Sequence, residues 1–256
     1  MNIGDDFRYW EKRGETYKDL DDVKSTRTAY KIVRVIKNMN LGRGAWILDG
    51  GCGRGDITRV VRDNIRHSNV IGVDLSKKMI SGAKHKEKYG LKFFDKDFFK
   101  FADKFDNFFD LIYMSLFIHH LTDGNDQRAL DEAYRAVKDN GYVLIAEALP
   151  PSENIFNYYS EIFRIKENRN CYLLQDLFKL IREAGFQTTH YITYKFDIKL
   201  KSWLNDNTLS EEKKKLLYLM HTEASSEFKK AYAMDPLPGG DYRLRCKMAV
   251  VTGRKS

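Results

Sequence analysis

The sequence predicts an α/β fold in which a mostly parallel sheet is covered by helices on both faces. Short apolar runs alternate with stretches of helical periodicity from residue 45 onward, which is typical of repeated strand–helix–strand units. The first apolar run leads into a glycine-rich turn, and the second ends in the acid Asp74. A strand, a glycine-rich turn and a helix in this order favour a ligand site, because backbone without Cβ atoms can approach a nucleotide-like ligand closely.

The alternation predicts each element in turn. Strands are expected at 45–48, 70–73, 91–94, 109–114 and 142–146, with a sixth that begins near Phe186 and a last one at 244–252. Helices are expected at 7–17, 25–38, 56–64, 126–137, 173–184 and 210–232, and another begins at the capping residue Ser76. The run Asp139-Asn140-Gly141 is predicted to end the helix 126–137 in a left-handed turn.

Two segments, about 149–171 and 195–241, stand outside this alternation. We expect them to form a cap over the substrate, although helices that only pack against the sheet would give the same pattern. The length of 256 residues suits one domain, residues 1–256, with lid helices within 1–40 and the two cap inserts.

The composition narrows the class of protein. Hydrophobic residues make up 43% and charged residues 31%, which is typical of a soluble globular protein, and no apolar run approaches the ~20 residues that cross a bilayer. The first residues lack the features of a secretory signal. The cysteines Cys52, Cys171 and Cys246 have no zinc or disulfide spacing, so we expect a cytoplasmic location and no metal.

The formal net charge of +8 raises the question of a nucleic-acid partner. The excess is spread over helical patterns beside acids, as in Glu211-Glu212-Lys213-Lys214-Lys215, which favours solvated helix faces. No nucleic-acid-binding module is recognisable, so such a partner is possible but not favoured. The sequence does not indicate an oligomeric state.

The glycine-rich turn reads Asp49-Gly50-Gly51-Cys52-Gly53-Arg54-Gly55, and the next strand ends in Gly72-Val73-Asp74-Leu75-Ser76. In this form the two segments resemble the class I S-adenosylmethionine (SAM) dependent methyltransferases of the ubiquinone/menaquinone-biosynthesis, small-molecule type. The resemblance covers about 46–186. It implies a Rossmann-like, doubly wound sheet of seven strands whose last strand, 244–252, is antiparallel. It also implies SAM as the cofactor.

The charge of Asp49 agrees with this resemblance. A dinucleotide pyrophosphate needs a helix N-terminus that is open to an anion. A carboxylate beside the turn would repel the pyrophosphate and suits a ligand with a sulfonium and an ammonium group. A dehydrogenase is therefore the weaker alternative.

The resemblance assigns cofactor contacts residue by residue. The glycine-rich turn passes along the methionine part of SAM, and Asp74 accepts hydrogen bonds from the ribose hydroxyls. An ion pair with Lys77 or Lys78 is the alternative for Asp74. Asp97 matches the acid that accepts from the adenine amino group. The full predicted set is Asp49, Gly50, Gly51, Cys52, Gly53, Asp74, Leu75, Met79, Asp97, Phe98, Met114, Ser115 and Tyr17, with Gly55 as a further turn residue.

The adenine contact has two competing interpretations. Asp95 lies two residues before Asp97 and competes for the same match, and a helix cap is another role for Asp97. Phe98 is expected to lie against the adenine.

The exit of the strand 109–114 carries the candidate catalytic residues. Ligands lie at the carboxyl ends of strands in such sheets, so residues 114–120 are expected to face the transferred methyl group. His119 and His120 are candidates for a general base that takes a proton from a hydroxyl. The favoured alternative is that they pack beneath the cofactor or bond the backbone. The Asn/Asp-Pro-Pro-aromatic motif of amine methyltransferases is absent here, which disfavours a nucleobase amine.

The regions outside the core motifs add further candidates. Tyr9, Trp10 and Tyr17 are candidates for an aromatic lid and Arg13 for a partner of the methionine carboxylate, with plain core packing as the alternative. Candidates for the acceptor pocket in the inserts are Asn154, Tyr158, Tyr159, Arg164, Arg169 and Trp203.

The sequence therefore predicts an enzyme that transfers a methyl group from SAM to a small organic acceptor at an O, N or C atom. The aromatic inserts favour an apolar or aromatic acceptor. A methyltransferase that acts on RNA or protein, and a SAM-binding protein without catalytic activity, remain the alternatives.

Overall fold

A computed structural model of the chain describes residues 11–12 and 22–256, the side chains of 22–25 excepted. The strands are β1 Trp46–Gly50, β2 Asn69–Asp74, β3 Leu91–Asp95, β4 Phe109–Ser115, β5 Val137–Leu149, β6 Gln187–Lys199, β7 Asp235–Leu237 and β8 Asp241–Arg254. The helices are α1 Asp22–Lys37, α2 Asp56–Asn64, α3 Lys77–Lys84, α4 Phe98–Ala102, α5 Asn125–Ala136, α6 Phe156–Lys166, α7 Leu174–Glu183, α8 Leu200–Leu204, α9 Glu211–Thr222 and α10 Ser226–Ala231. Short 3₁₀ turns cover Ile118–His120 and Glu153–Ile155. Of the predicted helix 7–17, only Glu11 and Lys12 lie within the described residues, and both are helical.

The strands form one sheet in the order β3-β2-β1-β4-β5-β8-β6. Strands β1 to β5 pair in parallel, and β8 is antiparallel to both of its neighbours. The short strand β7 extends the edge of β8 as an eighth strand. This topology confirms the predicted doubly wound sheet with an antiparallel last strand. The strand order reverses between β1 and β4, which creates the crevice where ligands bind in such sheets.

Two apolar cores cover the two faces of the sheet. Ile47 of β1 belongs to the core on the α1 face, and the next residue, Leu48, belongs to the core on the α5 face. Leu111 and Ile112 of β4 divide between the two cores in the same way. This alternation follows from the two-residue repeat of a strand. All four side chains are fully buried, each worth ~1.5–3 kcal/mol of hydrophobic stabilisation.

A third core joins the two inserts. It contains buried side chains from α6, α8, α9, α10 and β8, namely Tyr159, Phe163, Leu200, Leu204, Leu217, Phe228 and Leu244. Segments that are far apart in sequence therefore stabilise each other next to the sheet.

The structure corrects the predicted helix 210–232, which consists of two helices, α9 and α10. The chain breaks between them because the Ser225 hydroxyl accepts a hydrogen bond from the Phe228 N–H and starts a new helix. A side-chain cap of this kind favours a helix start over a continuous helix.

The predicted stop at Asp139-Asn140-Gly141 is also wrong in position. Helix α5 already ends at Ala136, and β5 begins at Val137, which pairs with Phe109 of β4. Asn140 has a positive φ of 63°, so the left-handed residue lies inside the strand segment rather than at the helix end. The pairing with β4 begins too early for the helix to continue.

No helix in the described part of the chain is both long and apolar enough to cross a membrane.

Lys255 fastens the end of β8 to the end of α5. Its side chain is buried, and its ammonium group donates hydrogen bonds of 2.6–2.9 Å to Asn107 Oδ1 and to the carbonyl oxygens of Tyr134 and Val137. A buried cation is stable only when its donors are satisfied, and these three acceptors satisfy them.

We expect Lys255→Met to lower the free energy of unfolding by about 2 to 4 kcal/mol, because it removes three charge-assisted hydrogen bonds and leaves the buried Val137 carbonyl oxygen without its donor. Urea denaturation measures the change. Lys179→Met is the control, since Lys179 is mostly exposed and makes only a surface ion pair with Glu183. An effect of Lys255→Met no larger than that of the control would contradict the assignment.

Candidate active site

The glycine-rich turn is held against the end of β2 by backbone hydrogen bonds. The N–H groups of Gly51 and Cys52 both donate to the Val73 carbonyl oxygen, at 2.9 and 3.0 Å. Gly51 has a φ of +72°, and a Cβ atom at this position would lie 2.2 Å from the ring of Phe117. Gly53 has a φ of +52°, but among the described residues, its two chain neighbours aside, no atom lies within 4 Å of its Cβ position. Gly51 therefore permits close packing of the turn, whereas Gly53 faces open space.

Asp74 connects the turn to the following helix. One carboxylate oxygen accepts from the Gly53 N–H at 2.8 Å and the other from the Ser76 N–H at 2.9 Å. No ion pair joins Asp74 to the neighbouring described residues Lys77 and Lys78, although this was the alternative role. Burial raises the pKa of Asp74, while the two backbone N–H groups oppose the shift. The side chain lines the cavity with acceptor capacity beyond these two bonds.

Asp49 lies beneath the turn rather than on its surface. It is buried, and its Oδ2 accepts hydrogen bonds of 2.6 Å from both Thr58 and Tyr113. Burial raises the pKa of Asp49 to about 7, although the bonds from Thr58 and Tyr113 oppose the shift. The carboxyl group that the sequence places beside the turn therefore lies below it, and its burial favours the neutral form.

The exit of β4 is fastened to the end of β5 by Glu147, which is fully buried. Its Oε1 accepts from the Phe117 N–H at 3.1 Å, and its Oε2 lies 2.6 Å from His119 Nδ1. Burial raises the pKa of Glu147 to about 7, with nearby Arg169 and His120 opposing the shift. Leu116, with a φ of +54°, turns the chain out of β4 towards this contact. The sequence analysis did not find Glu147, whose only signal was an acid directly after the predicted strand 142–146.

The histidine pair lies beside this carboxylate. The rings of His119 and His120 have centroids 3.8 Å apart, and both residues line the same cavity as the turn. When Nδ1–H of His119 donates to Glu147, Nε2 is the basic nitrogen of the ring. Within the described residues, no group of three or more His, Cys, Asp or Glu side chains is arranged to hold a metal ion.

One cavity of about 1090 Å³ connects the turn with the cap inserts. At one end it is lined by the turn and by the ends of β2 and β4, and at the other end by residues of α6, β6, α8 and β8. Predicted cofactor and catalytic residues that line it are Gly51, Cys52, Gly53, Asp74, Leu75, Met79, Asp97, Phe98, Ser115, His119 and His120.

Some predicted residues lie elsewhere. Asp49, Gly50 and Met114 do not line the cavity, because they form the layer beneath the turn, where Met114 is fully buried. Tyr17 and the lid candidates Tyr9, Trp10 and Arg13 lie outside the described residues.

For the adenine candidates, the structure shows the helix-cap role of Asp97, and its contact with adenine stays a prediction. Asp97 caps α4 by accepting a hydrogen bond from the Lys100 N–H at 3.0 Å, and it also lines the cavity. Phe98 is almost fully buried and packs edge-on against Phe117. Asp95, the competing acid, does not line the cavity.

The cap end brings together three of the six acceptor candidates. Tyr159, Arg169 and Trp203 line the cavity, whereas Asn154, Tyr158 and Arg164 do not. The sequence analysis did not single out the buried ions beside them. Lys166 Nζ lies 3.6 Å from Glu167 and 3.5 Å from Asp206, and all three side chains are at least nine-tenths buried.

Comparisons with known proteins agree with this geometry. Residues 47–141 match the methyltransferase domain family. The chain is 28% identical over 153 residues to demethylmenaquinone methyltransferase of Thermotoga maritima. The alignment covers 58% of this chain and 64% of that protein, so the chain spans less than two thirds of the relative's length.

Two solved structures share the fold. The YcgJ protein of Bacillus subtilis has a TM-score of 0.74 at 18% identity, with 90% of this chain and 98% of that chain covered. A SAM-dependent methyltransferase of Archaeoglobus fulgidus has a TM-score of 0.58 at 18% identity, with 90% and 94% covered.

The family match identifies a methyltransferase domain at residues 47–141. The fold and the glycine turn with Asp74 are similar to those of the class I SAM-dependent methyltransferases, whose cofactor is SAM. This confirms the resemblance seen in the sequence. The residues present fit the cofactor: Gly53 leaves open space where a Cβ would otherwise stand, and the Asp74 carboxylate reaches the same space.

We expect Gly51→Ala to destabilise the protein more than Gly53→Ala. Both changes place a side chain in a left-handed conformation, at a cost of about 1–2 kcal/mol. Only the Gly51 variant also forces a methyl group into Phe117, which adds about 1–3 kcal/mol. Urea denaturation of the two matched variants measures the difference, and equal losses of stability would show that Phe117 does not constrain the turn.

Proposed function

We propose that the protein transfers the methyl group of SAM to a small organic acceptor that binds at the cap end of the cavity. The supporting observation is the single cavity that joins the cofactor turn to the two inserts. An acceptor enclosed between β4, β5 and the cap is small, whereas RNA needs an open basic groove along which its backbone can lie.

The cofactor assignment follows from the positions of the predicted residues. We assign the methionine part to the turn at Gly51 to Gly53, the ribose hydroxyls to Asp74, and the adenine amino group to Asp97. Leu75, Met79 and Phe98 provide apolar walls around this end of the cavity. Asp49 lies beneath the turn and supports it by accepting hydrogen bonds from Thr58 of α2 and Tyr113 of β4.

When bound, SAM supplies an activated methyl group on a sulfonium, which an acceptor displaces in line. The residues of the chain therefore mainly position the two reactants and exclude water. We assign this positioning to the β4 exit, which Glu147 fixes through Phe117 and His119.

A general base is needed when the acceptor is a hydroxyl or an acidic carbon. His119 is the better candidate of the two histidines, because the Glu147 carboxylate fixes its ring through Nδ1. The packing role favoured in the sequence analysis also fits this bond, so loss of turnover without loss of cofactor binding is the deciding result.

The atom that is methylated and the oligomeric state are not assigned. The expected cytoplasmic location stays a prediction, and none of the three cysteines, all of which the structure describes, forms a disulfide.

We expect Asp74→Asn to weaken SAM binding by about 1 to 3 kcal/mol, because the ribose loses a charged hydrogen-bond partner. Calorimetric titration with SAM, and separately with NAD, measures the effect. Asp95→Asn is the matched control, since Asp95 pairs with Asp74 in the strand register but does not line the cavity. Binding that is indifferent to Asp74, or NAD binding instead of SAM binding, would overturn the cofactor site.

Incubation with SAM labelled in its methyl group tests the reaction. We expect label to appear in the small-molecule fraction of a cell extract, and not in tRNA or protein. His119→Gln should lower this transfer at least tenfold while SAM binding stays within about twofold.

The other outcomes decide between the alternatives. Label in RNA or protein would replace the small acceptor by a macromolecule, and SAM binding without any transfer would support a non-catalytic protein. Methyl transfer by the His119→Gln variant at the wild-type rate would show that His119 has only a packing role.

A further inference from the structure

We propose that the cap end of the cavity binds the carboxylate of a small aromatic acceptor through the side chains of Arg169 and Tyr159. The inference rests on the proposed function, since it specifies the chemical class of the acceptor.

Arg169 has one nitrogen without a partner. Its side chain is 5% exposed, and its guanidinium lies 4.2 Å from the centre of the Phe163 ring. Nε donates to the Asn170 carbonyl oxygen at 3.2 Å, and Nη1 pairs with Glu167 at 3.3 Å. Nη2 is buried and has no hydrogen-bond partner among the described residues. An unsatisfied N–H of a buried cation is unfavourable, and an anionic oxygen would satisfy it.

Tyr159 offers a second unpaired donor in the same place. The residue is 3% exposed, lies on α6 and lines the cavity together with Arg169. Its hydroxyl is also buried without a hydrogen-bond partner in the described part of the chain. Burial raises the pKa of Tyr159, while the nearby charge of Arg169 opposes the shift, so the two groups are close enough to interact.

Both unpaired atoms are out of contact with water in this structure. Solvent therefore does not replace the missing hydrogen bonds. An acceptor oxygen reaches them when neighbouring side chains of the cap shift to admit it, which links binding of the acceptor to an adjustment of the cap.

The charge of the surrounding wall favours an anion. Among the described cavity-lining residues from Ala148 onward there are five cations against three anions. The cations are Lys166, Arg169, Lys199, Arg243 and Lys247, and the anions are Glu167, Asp197 and Asp206. Asp197 is moreover bonded to Arg245, which does not line the cavity.

The apolar part of the same wall favours a flat, aromatic body. Phe163, Phe196 and Trp203 line the cap end, together with Ile162 and Leu244. Aromatic rings pack edge-on or offset against such side chains, while a carboxylate on the ring points to the two donors. The proposed acceptor is therefore an aromatic carboxylate rather than a neutral aromatic compound.

Calorimetry with three pairs of probes tests the inference. Benzoate, cinnamate and 2-naphthoate are each compared with the corresponding primary amide, in the presence of saturating S-adenosylhomocysteine. We expect at least one carboxylate to bind about tenfold or more tightly than its amide, as a charge-assisted hydrogen bond implies.

Tyr159→Phe is the decisive variant, because removing Arg169 would also remove one of the two cations that pair with Glu167. We expect Tyr159→Phe to weaken carboxylate binding about tenfold. Its melting temperature should stay equal or rise, since the lost hydroxyl has no partner. Tyr158→Phe is the matched control: its hydroxyl donates to the Met220 carbonyl oxygen at 2.8 Å, and Tyr158 does not line the cavity. The control should lower the melting temperature and leave binding unchanged.

Carboxylates that bind no better than their amides, or Tyr159→Phe that binds like the wild type, would overturn the inference. Binding of S-adenosylhomocysteine is measured first and by itself. If it binds and no carboxylate does, the inference fails and the proposed function stands. If it does not bind, both fail.

Discussion

The site depends on how the glycine-rich turn is fastened to the end of β2. Backbone N–H groups must find partners when they are buried, and here the Val73 carbonyl and the Asp74 carboxylate accept three of them from the turn. Asp74 therefore shapes the turn and also faces the cavity. If Asp74 binds the cofactor as proposed, a change at this residue acts on stability and on ligand binding together, and a conservative asparagine separates the two effects better than alanine.

On the opposite side of the site, buried charged side chains rather than backbone hydrogen bonds join the elements. Glu147 joins the exit of β4 to the end of β5, and Lys166, Glu167 and Asp206 form an ionic cluster in the cap. Desolvated ions are a weak source of stability, because the cost of removing them from water rivals their attraction. Lys166, Glu167 and Asp206 line the cavity, a position that fits the proposed acceptor site better than a stabilising role in the fold.

Several elements were predictable because they leave local signals in the sequence. The turn and Asp74 are short-range patterns, and the two-residue repeat separates the two cores at Ile47 and Leu48. The predicted boundaries were wrong where strand pairing or a side-chain cap overrides the helical propensity of the local sequence. Pairing of Val137 with β4 ends α5 early, and a serine cap divides the predicted helix 210–232.

The sequence by itself determined the alternation of the main strands with the core helices, the glycine-rich turn and the acid Asp74 that follows it, because each depends on residues that are close along the chain. It did not predict α4, α6, α8 or β7. Only the tertiary structure showed that Glu147 reaches His119 and that Tyr159 and Arg169, but not Tyr158 or Arg164, line the cavity. Those facts depend on which face of a helix or strand meets a partner far away in sequence. The burial that leaves two donors without partners among the described residues exists only once the inserts have packed together.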